Sequence, residues 1–181
     1  MISILTAYDS LAALMSKYRV IIVEGSRCTG KDHLISRFLA TYKDFHGYEL
    51  LKPRKQFVQG SRDGKVRNLP AGLDIQQGHL WSLDVFRQIP DLKVVINRSM
   101  LTSQYFDGPN DERFELWVNM LKGLDALVVL VQPSEREHSK RIAKMARMSE
   151  SASISSERIG IQRYAAKLPK EMLVIFSESC S

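Results

Sequence analysis

A lysine that follows a pair of spaced glycines carries the strongest chemical signal in this 181-residue chain. Gly25 and Gly30 enclose four residues, and Lys31 follows directly. Glycine permits backbone conformations that a Cβ forbids, so the amides of residues 26–31 can point inward as a nest for phosphate oxygens. The sequence therefore predicts a phosphate-binding loop for a nucleoside triphosphate, with Lys31 on the β- and γ-phosphates.

The residue after the lysine departs from the usual pattern, because Asp32 stands where Ser or Thr normally touches Mg²⁺. A carboxylate is also a hard oxygen ligand, so we predict that Asp32 binds the Mg²⁺ that accompanies ATP. Arg27 can offset the added negative charge. The predicted donor site consists of Gly25, Ser26, Arg27, Cys28, Thr29, Gly30, Lys31, Asp32 and His33.

Around this loop, apolar runs of strand length alternate with segments of helical spacing. The apolar, β-branched run 19–23 precedes the loop, and the helical spacing of 32–42 follows it, which is the context that a phosphate loop requires. Predicted strands cover 19–23, 48–51, 93–96, 126–131 and 172–176, and predicted helices cover 3–17, 32–42, 74–88, 114–122, 136–147 and 157–168. Residues 54–72 are expected to form a loop, and the Ser-rich stretch 148–156 a mobile segment. Strands that are apolar on both faces and alternate with helices predict a three-layer α/β fold with a parallel sheet flanked by helices.

These landmarks resemble the thymidylate kinase and deoxynucleoside kinase family of P-loop kinases. The run Val20–Gly25 with Gly30-Lys31 looks like the start of that family, and the Gly-Lys-Asp variant is similar to some phage deoxynucleoside monophosphate kinases and to phosphomevalonate kinase. The run 94–99 resembles a family strand that ends in Asp-Arg or Glu-Arg before Ser. The segment 141–158 looks like the arginine-bearing lid. The resemblance covers about residues 19–177.

The resemblance implies a phosphotransferase that uses ATP and Mg²⁺. Besides Lys31, it implies that Arg98 contacts the acceptor or the transferring phosphoryl group. Arg141 and Arg147 would close over the γ-phosphate, and a closed lid would exclude water.

Two further departures favour a nucleoside monophosphate, such as dTMP, as the acceptor. Asn97 replaces the family's acid, and Leu51-Lys52-Pro53-Arg54 replaces an acid-containing run. A hydroxyl acceptor benefits from a general base, whereas a monophosphate oxygen is already anionic and needs cations around it. Lys52, Arg54 and Arg98 would supply those cations, and Gln76 or Gln77 would pair with the base edge.

Three alternatives remain open from the sequence. The chain could be a deoxynucleoside kinase, or a 5′-hydroxyl polynucleotide kinase that binds nucleic acid through the basic residues of 54–67. It could also be a nucleotide-binding regulator without turnover, because Asp32, Asn97 and the Ser-rich lid all depart from the kinase pattern.

Composition is that of an ordinary globular protein, with 44% hydrophobic and 25% charged residues, and we expect one domain over 1–181. The net charge of +6 favours an anionic partner, which is a nucleotide in the main interpretation. Apolar runs are too short to span a membrane, and Cys28 and Cys180 are too few for a disulfide framework. We therefore expect a cytoplasmic protein with no membrane partner, and the N-terminal helix could be a homodimer contact.

Overall fold

The computed structural model describes residues 2–50, 74–145 and 148–178, which form one parallel sheet with helices on both faces. The strands are β1 Ser3–Leu5, β2 Val20–Glu24, β3 Phe45–Tyr48, β4 Lys93–Asn97, β5 Ala126–Val131 and β6 Leu173–Phe176. The helices are α1 Tyr8–Met15, α2 Lys31–Thr41, α3 Ile75–Gln88, α4 Met100–Phe106, α5 Asp111–Lys122, α6 Glu135–Lys144 and α7 Ser151–Ala165. Short 3₁₀ turns cover Met148–Glu150 and Lys170–Met172. The predicted fold class is confirmed.

The six strands lie in the order β1-β6-β5-β2-β4-β3, and every neighbouring pair is parallel. The completely buried strand β2 lies between β4 and β5. After β2, the next two strands in the chain, β3 and β4, lie on one side of β2, and β5 then lies on its other side. Such a reversal of direction at the carboxyl edge of an open α/β sheet creates a crevice in which ligands bind.

Alternate residues of β2 point into two separate cores. Ile21 and Val23 pack under α1 and α2, whereas Val20 and Ile22 pack under α3, α4, α5 and α7. Trp117, on α5, is fully buried in the second core. This two-sided burial explains why β2 is an uninterrupted apolar run, and it fixes the carboxyl end of β2, from which the loop continues.

The structure differs from the sequence expectation at several elements, and α4 is not among the predicted helices. Residues 3–5 form β1 and pair with β6, so the helix predicted over 3–17 is limited to α1. The second strand is β3, Phe45–Tyr48, where Phe45 is buried against Phe38; residue 51 of the predicted strand lies outside the described residues. Residues 151–156, which the sequence analysis did not include in a helix, form the first turns of α7, and Ile154 among them is fully buried.

Side chains cap the starts of α3, α5 and α6. The side chain of Asp74 accepts a hydrogen bond from the Gln77 amide at the start of α3, as predicted. Ser134 does the same for Glu137 at the start of α6. None of the helices in the described ranges is long and apolar enough to cross a membrane.

Candidate phosphate-binding site

The loop 25–30 joins β2 to α2 at the carboxyl edge of the sheet and has the backbone shape that its glycines require. Gly25 and Gly30 have φ angles of 154° and 95°. A Cβ on Gly25 would lie 2.8 Å from the carbonyl oxygen of Val131, and one on Gly30 would lie 2.6 Å from Nη1 of Arg141. Cys28 also has a positive φ, of 63°, and its thiol is free. The loop is therefore tightly turned and closely packed from outside.

Lys31 begins α2 and lies beneath this loop, with only 3% of its surface exposed. Burial lowers the pKa of its amine, and the neighbouring charge of Arg98 lowers it further. The positive end of the α2 dipole adds to the positive potential at the same place. A buried ammonium next to loop amides favours an anionic ligand.

Arg98 follows β4 and lies beside the loop because β4 neighbours β2 in the sheet. Its amide donates a hydrogen bond to the carbonyl oxygen of Val23 at 3.0 Å, and its φ of 63° is unusual for a residue with a Cβ. Its Nη1 lies 3.7 Å from Oε1 of Glu157. The backbone of Arg98 is thus held in a costly conformation that turns the chain at the end of β4.

Glu24, the last residue of β2, anchors the turn that carries Arg98. Its fully buried carboxylate accepts hydrogen bonds from the amides of Ser99 (2.7 Å) and Leu101 (3.2 Å) and from the hydroxyl of Thr102 (2.6 Å). Burial raises the pKa of this carboxyl group, and the bond from Thr102 opposes that rise. The family-like Glu-Gly pair at 24–25 therefore joins the loop to the start of α4.

Glu157 is a site residue that the sequence analysis did not single out as functional. This α7 carboxylate is 0% exposed, and it accepts hydrogen bonds from the backbone amide of Arg27 at 3.1 Å and from Nε of Arg27 at 2.8 Å. The Arg27 guanidinium also contacts Glu150 and donates to Ser153 Oγ at 2.6 Å. A Glu inside a Ser-rich amphipathic stretch gives no local signal of burial, so only the fold reveals this contact.

Arg141 lies against the outer side of the loop. Its guanidinium donates to the carbonyl oxygen of Thr29 at 2.5 Å and pairs with Glu137 and Glu178 at 2.9 and 3.2 Å. The resemblance implied a position over the γ-phosphate, whereas here Arg141 supports the loop backbone. Arg147 lies outside the described residues, as do Lys52 and Arg54.

A pocket opens behind the loop, between α1, α2 and the residues that follow β5 and β6. It is shallow, with a cavity volume of about 20 Å³, which is room for about one water molecule. Its lining includes Thr29, Gly30, His33, Pro133 and Arg141, together with Tyr8 under the guanidinium of Arg37, which lies 3.5 Å from the ring centroid. His33, predicted as part of the donor site, thus lies beside the loop in a pocket of aromatic and cationic side chains.

Asp32, the predicted Mg²⁺ ligand, lies in the first turn of α2 and keeps its carboxylate accessible. Its side chain is 74% exposed, its Oδ2 lies 3.9 Å from Nζ of Lys31, and its Oδ1 accepts a hydrogen bond from Asn97. Across the described ranges, no group of three or more His, Cys, Asp or Glu residues could hold a metal by itself. One exposed carboxylate beside a phosphate loop fits Mg²⁺, which keeps most of its waters and is bound largely by substrate phosphates.

Neither glutamine predicted to contact the base lies free beside the loop. Gln76 is buried, and its side-chain nitrogen donates to the carbonyl oxygen of Gly108 at 2.8 Å, so this amide is occupied in holding the turn after α4. Gln77 lines a separate groove between α3 and α5 with Trp81 and Arg113. The structure therefore brings together the loop, Lys31, Asp32 and Arg98, with Arg141 outside the loop, but not the two glutamines.

Comparisons with known proteins find a similarity in fold and none in sequence. No family model matches the sequence, and no curated protein matches it significantly. Among solved structures, the fold is similar to a thymidylate kinase from Ehrlichia chaffeensis, at 16% identity over 91% of each chain and a TM-score of 0.44. A similarity this low does not support assigning that protein's activity to this chain.

Proposed function

We propose that this protein transfers the γ-phosphoryl group of ATP to a (deoxy)nucleoside monophosphate such as dTMP. The observation that carries the proposal is the convergence of two cations on one phosphate loop. Lys31 lies buried under the loop, and Arg98 lies beside it at the end of the neighbouring strand. Phosphoryl transfer depends mainly on positioning and on stabilising charge, and these residues are suited to both.

The donor would bind with its phosphates in the loop 25–31 and its base toward His33. The pocket behind Gly30 adjoins the loop directly and is lined by His33 and Arg37, and a planar base would have to widen it. Asp32 would hold Mg²⁺ beside the phosphates. When bound, this ion would neutralise charge on the β- and γ-phosphates.

The acceptor would approach from the side of Arg98, at the carboxyl ends of β2 and β4. The buried carboxylate of Glu24, beside Arg98, is engaged by three hydrogen bonds, and Asn97 has no carboxylate to take a proton from a hydroxyl. This favours an acceptor whose attacking oxygen is already anionic, which is a monophosphate rather than a nucleoside or a 5′-hydroxyl end.

The proposal is tested by measuring ADP release in a coupled assay with ATP and Mg²⁺. The acceptor panel contains ribo- and deoxynucleosides, their monophosphates and 5′-hydroxyl oligonucleotides. We expect turnover with at least one monophosphate and none with the matching nucleoside. Turnover with nucleosides or oligonucleotides alone would refute the acceptor class. ATP binding without turnover on any acceptor would instead indicate a nucleotide-binding regulator.

A further inference from the structure

The cluster that joins Arg27 to α7 places an internal anion in the loop that is expected to bind phosphate. We propose that Glu157 competes with the phosphates of the nucleotide, so that the loop is closed by the protein's own carboxylate until a nucleotide displaces it. This inference rests on the proposed function, because it concerns regulation of the same donor site. We call the two hydrogen bonds from Arg27 to the Glu157 carboxylate the α7 latch.

The competition would centre on the amide of Arg27. The sequence predicts this amide to be among those of residues 26–31 that bind phosphate oxygens, and in the structure it donates to Oε1 of Glu157 at 3.1 Å. The second oxygen, Oε2, holds the Nε of the same residue at 2.8 Å. A carboxylate oxygen and a phosphate oxygen make the same kind of charge-assisted hydrogen bond, and one N–H cannot serve both fully.

Burial and charge account for the position of the Glu157 carboxylate. Glu157 is 0% exposed, and a buried charge requires a partner. Arg27, Arg98 and Lys31 would repel one another around an empty loop, and the charge of Glu157 acts on all three. A bound triphosphate would take over that neutralising role and would leave Glu157 as a like charge beside the phosphates. Nucleotide binding therefore requires the Glu157 side chain to turn away.

Further contacts of Arg27 connect the loop to both α6 and α7. Its guanidinium reaches Glu150 and Ser153, and its carbonyl oxygen lies 2.8 Å from Nε2 of His138 on α6. Both flanking helices are therefore fastened to one loop residue. Displacing Glu157 would loosen the first turns of α7 from the loop, which is the segment that the sequence analysis took for a lid.

The test is calorimetric titration of the full chain with pyrophosphate and with ATP, for the wild type, Glu157→Gln and Glu150→Gln. The Glu157→Gln change removes the competing charge at nearly constant side-chain size, so we expect about 10- to 100-fold tighter binding of both ligands. Glu150→Gln is the matched control. It removes a carboxylate from the same arginine, but one that is partly exposed and does not touch the loop amide, so we expect a change below about threefold.

The outcomes separate the latch from the donor site. Wild-type binding of ATP that is no weaker than that of Glu157→Gln would overturn the latch and leave the proposed function standing. Tighter binding by Glu157→Gln without turnover on any acceptor would support the latch and refute the kinase proposal. No binding of ATP or pyrophosphate by either protein would overturn both.

A second measurement does not depend on the folding of a variant. In wild-type protein labelled with ¹³C and ¹⁵N, pyrophosphate should shift the Glu157 side-chain carboxyl resonance and the Arg27 amide resonance along the same titration curve. A Glu157 resonance that stays fixed while the Arg27 amide moves would overturn the latch.

Discussion

Asn97 donates a hydrogen bond from Nδ2 to Oδ1 of Asp32 across 2.9 Å. Two of the positions at which the chain departs from the P-loop kinase pattern therefore touch each other. An acid at 97, as in the resembling family, would place a second carboxylate against Asp32. The amide at 97 and the carboxylate at 32 are therefore compatible as a pair, and neither departure by itself indicates a lost site.

Asn97→Asp should lower both stability and turnover, because two carboxylates at hydrogen-bond distance repel each other. Asp32→Ser/Asn97→Asp restores the usual pair of residue types and should recover most of the loss. A double-mutant cycle on the free energy of unfolding should give a coupling of about 1 to 3 kcal/mol. Additive effects of the two changes would show that the contact has no energetic role.

Lys31→Ala should reduce turnover by at least about 100-fold, because the ammonium is the buried charge under the phosphate loop. The coupled assay measures the loss, and circular dichroism checks the fold. Lys93→Ala is the control, since Lys93 pairs with Asp44 at the opposite end of the sheet and should leave the rate unchanged. Equal rates for all three proteins would remove the loop from the mechanism.

Arg98→Ala should lower kcat by about 10² to 10³, as the loss of one donor that stabilises charge in a transition state does. Arg98→Lys keeps the charge but loses the planar guanidinium, so it should recover only part of the rate. Arg87→Ala removes an exposed arginine that pairs with Asp84 and serves as the control. A rate unaffected by Arg98→Ala would show that the end of β4 is not part of the site.

Arg141→Ala should raise KM for ATP by about tenfold and change kcat by less than about threefold. The physical reason is that the Arg141 guanidinium donates a hydrogen bond to the carbonyl oxygen of Thr29, so its loss should weaken binding of ATP by the loop more than it slows the transfer step. Arg136→Ala, on an exposed position of the same helix, is the matched control. A large fall in kcat at constant KM would place Arg141 over the γ-phosphate, as the family resemblance implies.

His79 should make the protein acid-sensitive. It is only 5% exposed on α3, and burial lowers the pKa of its imidazole from 6.5 to about 4. Between these two pH values the unfolded chain binds a proton that the folded chain does not. The free energy of unfolding therefore falls as the pH drops from 6.5 toward 4, and above pH 6.5 the contribution of His79 to it is constant.

His79→Gln should remove about 3 kcal/mol of that pH dependence. Urea unfolding of the wild type and the variant between about pH 4 and pH 7 measures the difference in slope. His46→Gln, at an exposed position on β3, should keep the wild-type slope. Parallel curves for the wild type and His79→Gln would show that His79 is not the group responsible.

Local rules predicted the phosphate loop because its requirements are local. Gly25, Gly30 and Lys31 are set by the turn from β2 into α2, and the caps Asp74 and Ser134 act within one helical turn. These features need no knowledge of distant residues.

Long-range partners account for what the sequence did not reveal. A glutamate within a helix usually indicates a solvated face. Glu157 is buried instead because it binds Arg27, which lies far away in the chain. Gln76 has the chemistry to pair with a base, but the fold assigns its amide to Gly108. The strand character of 3–5 comes from pairing with β6 and has no local periodicity to announce it.

That pairing also sets the order in which the sheet can be completed during synthesis. Ser3 lies opposite Val174, so β1 has no partner until nearly the whole described chain has left the ribosome. The contacts between β2, β4 and β5 can form earlier, whereas the β1–β6 edge closes one of the largest loops available to the chain. Until β6 is available, β1 stays unpaired, so it is exposed to chaperones and to other chains for longer than any other strand of this sheet.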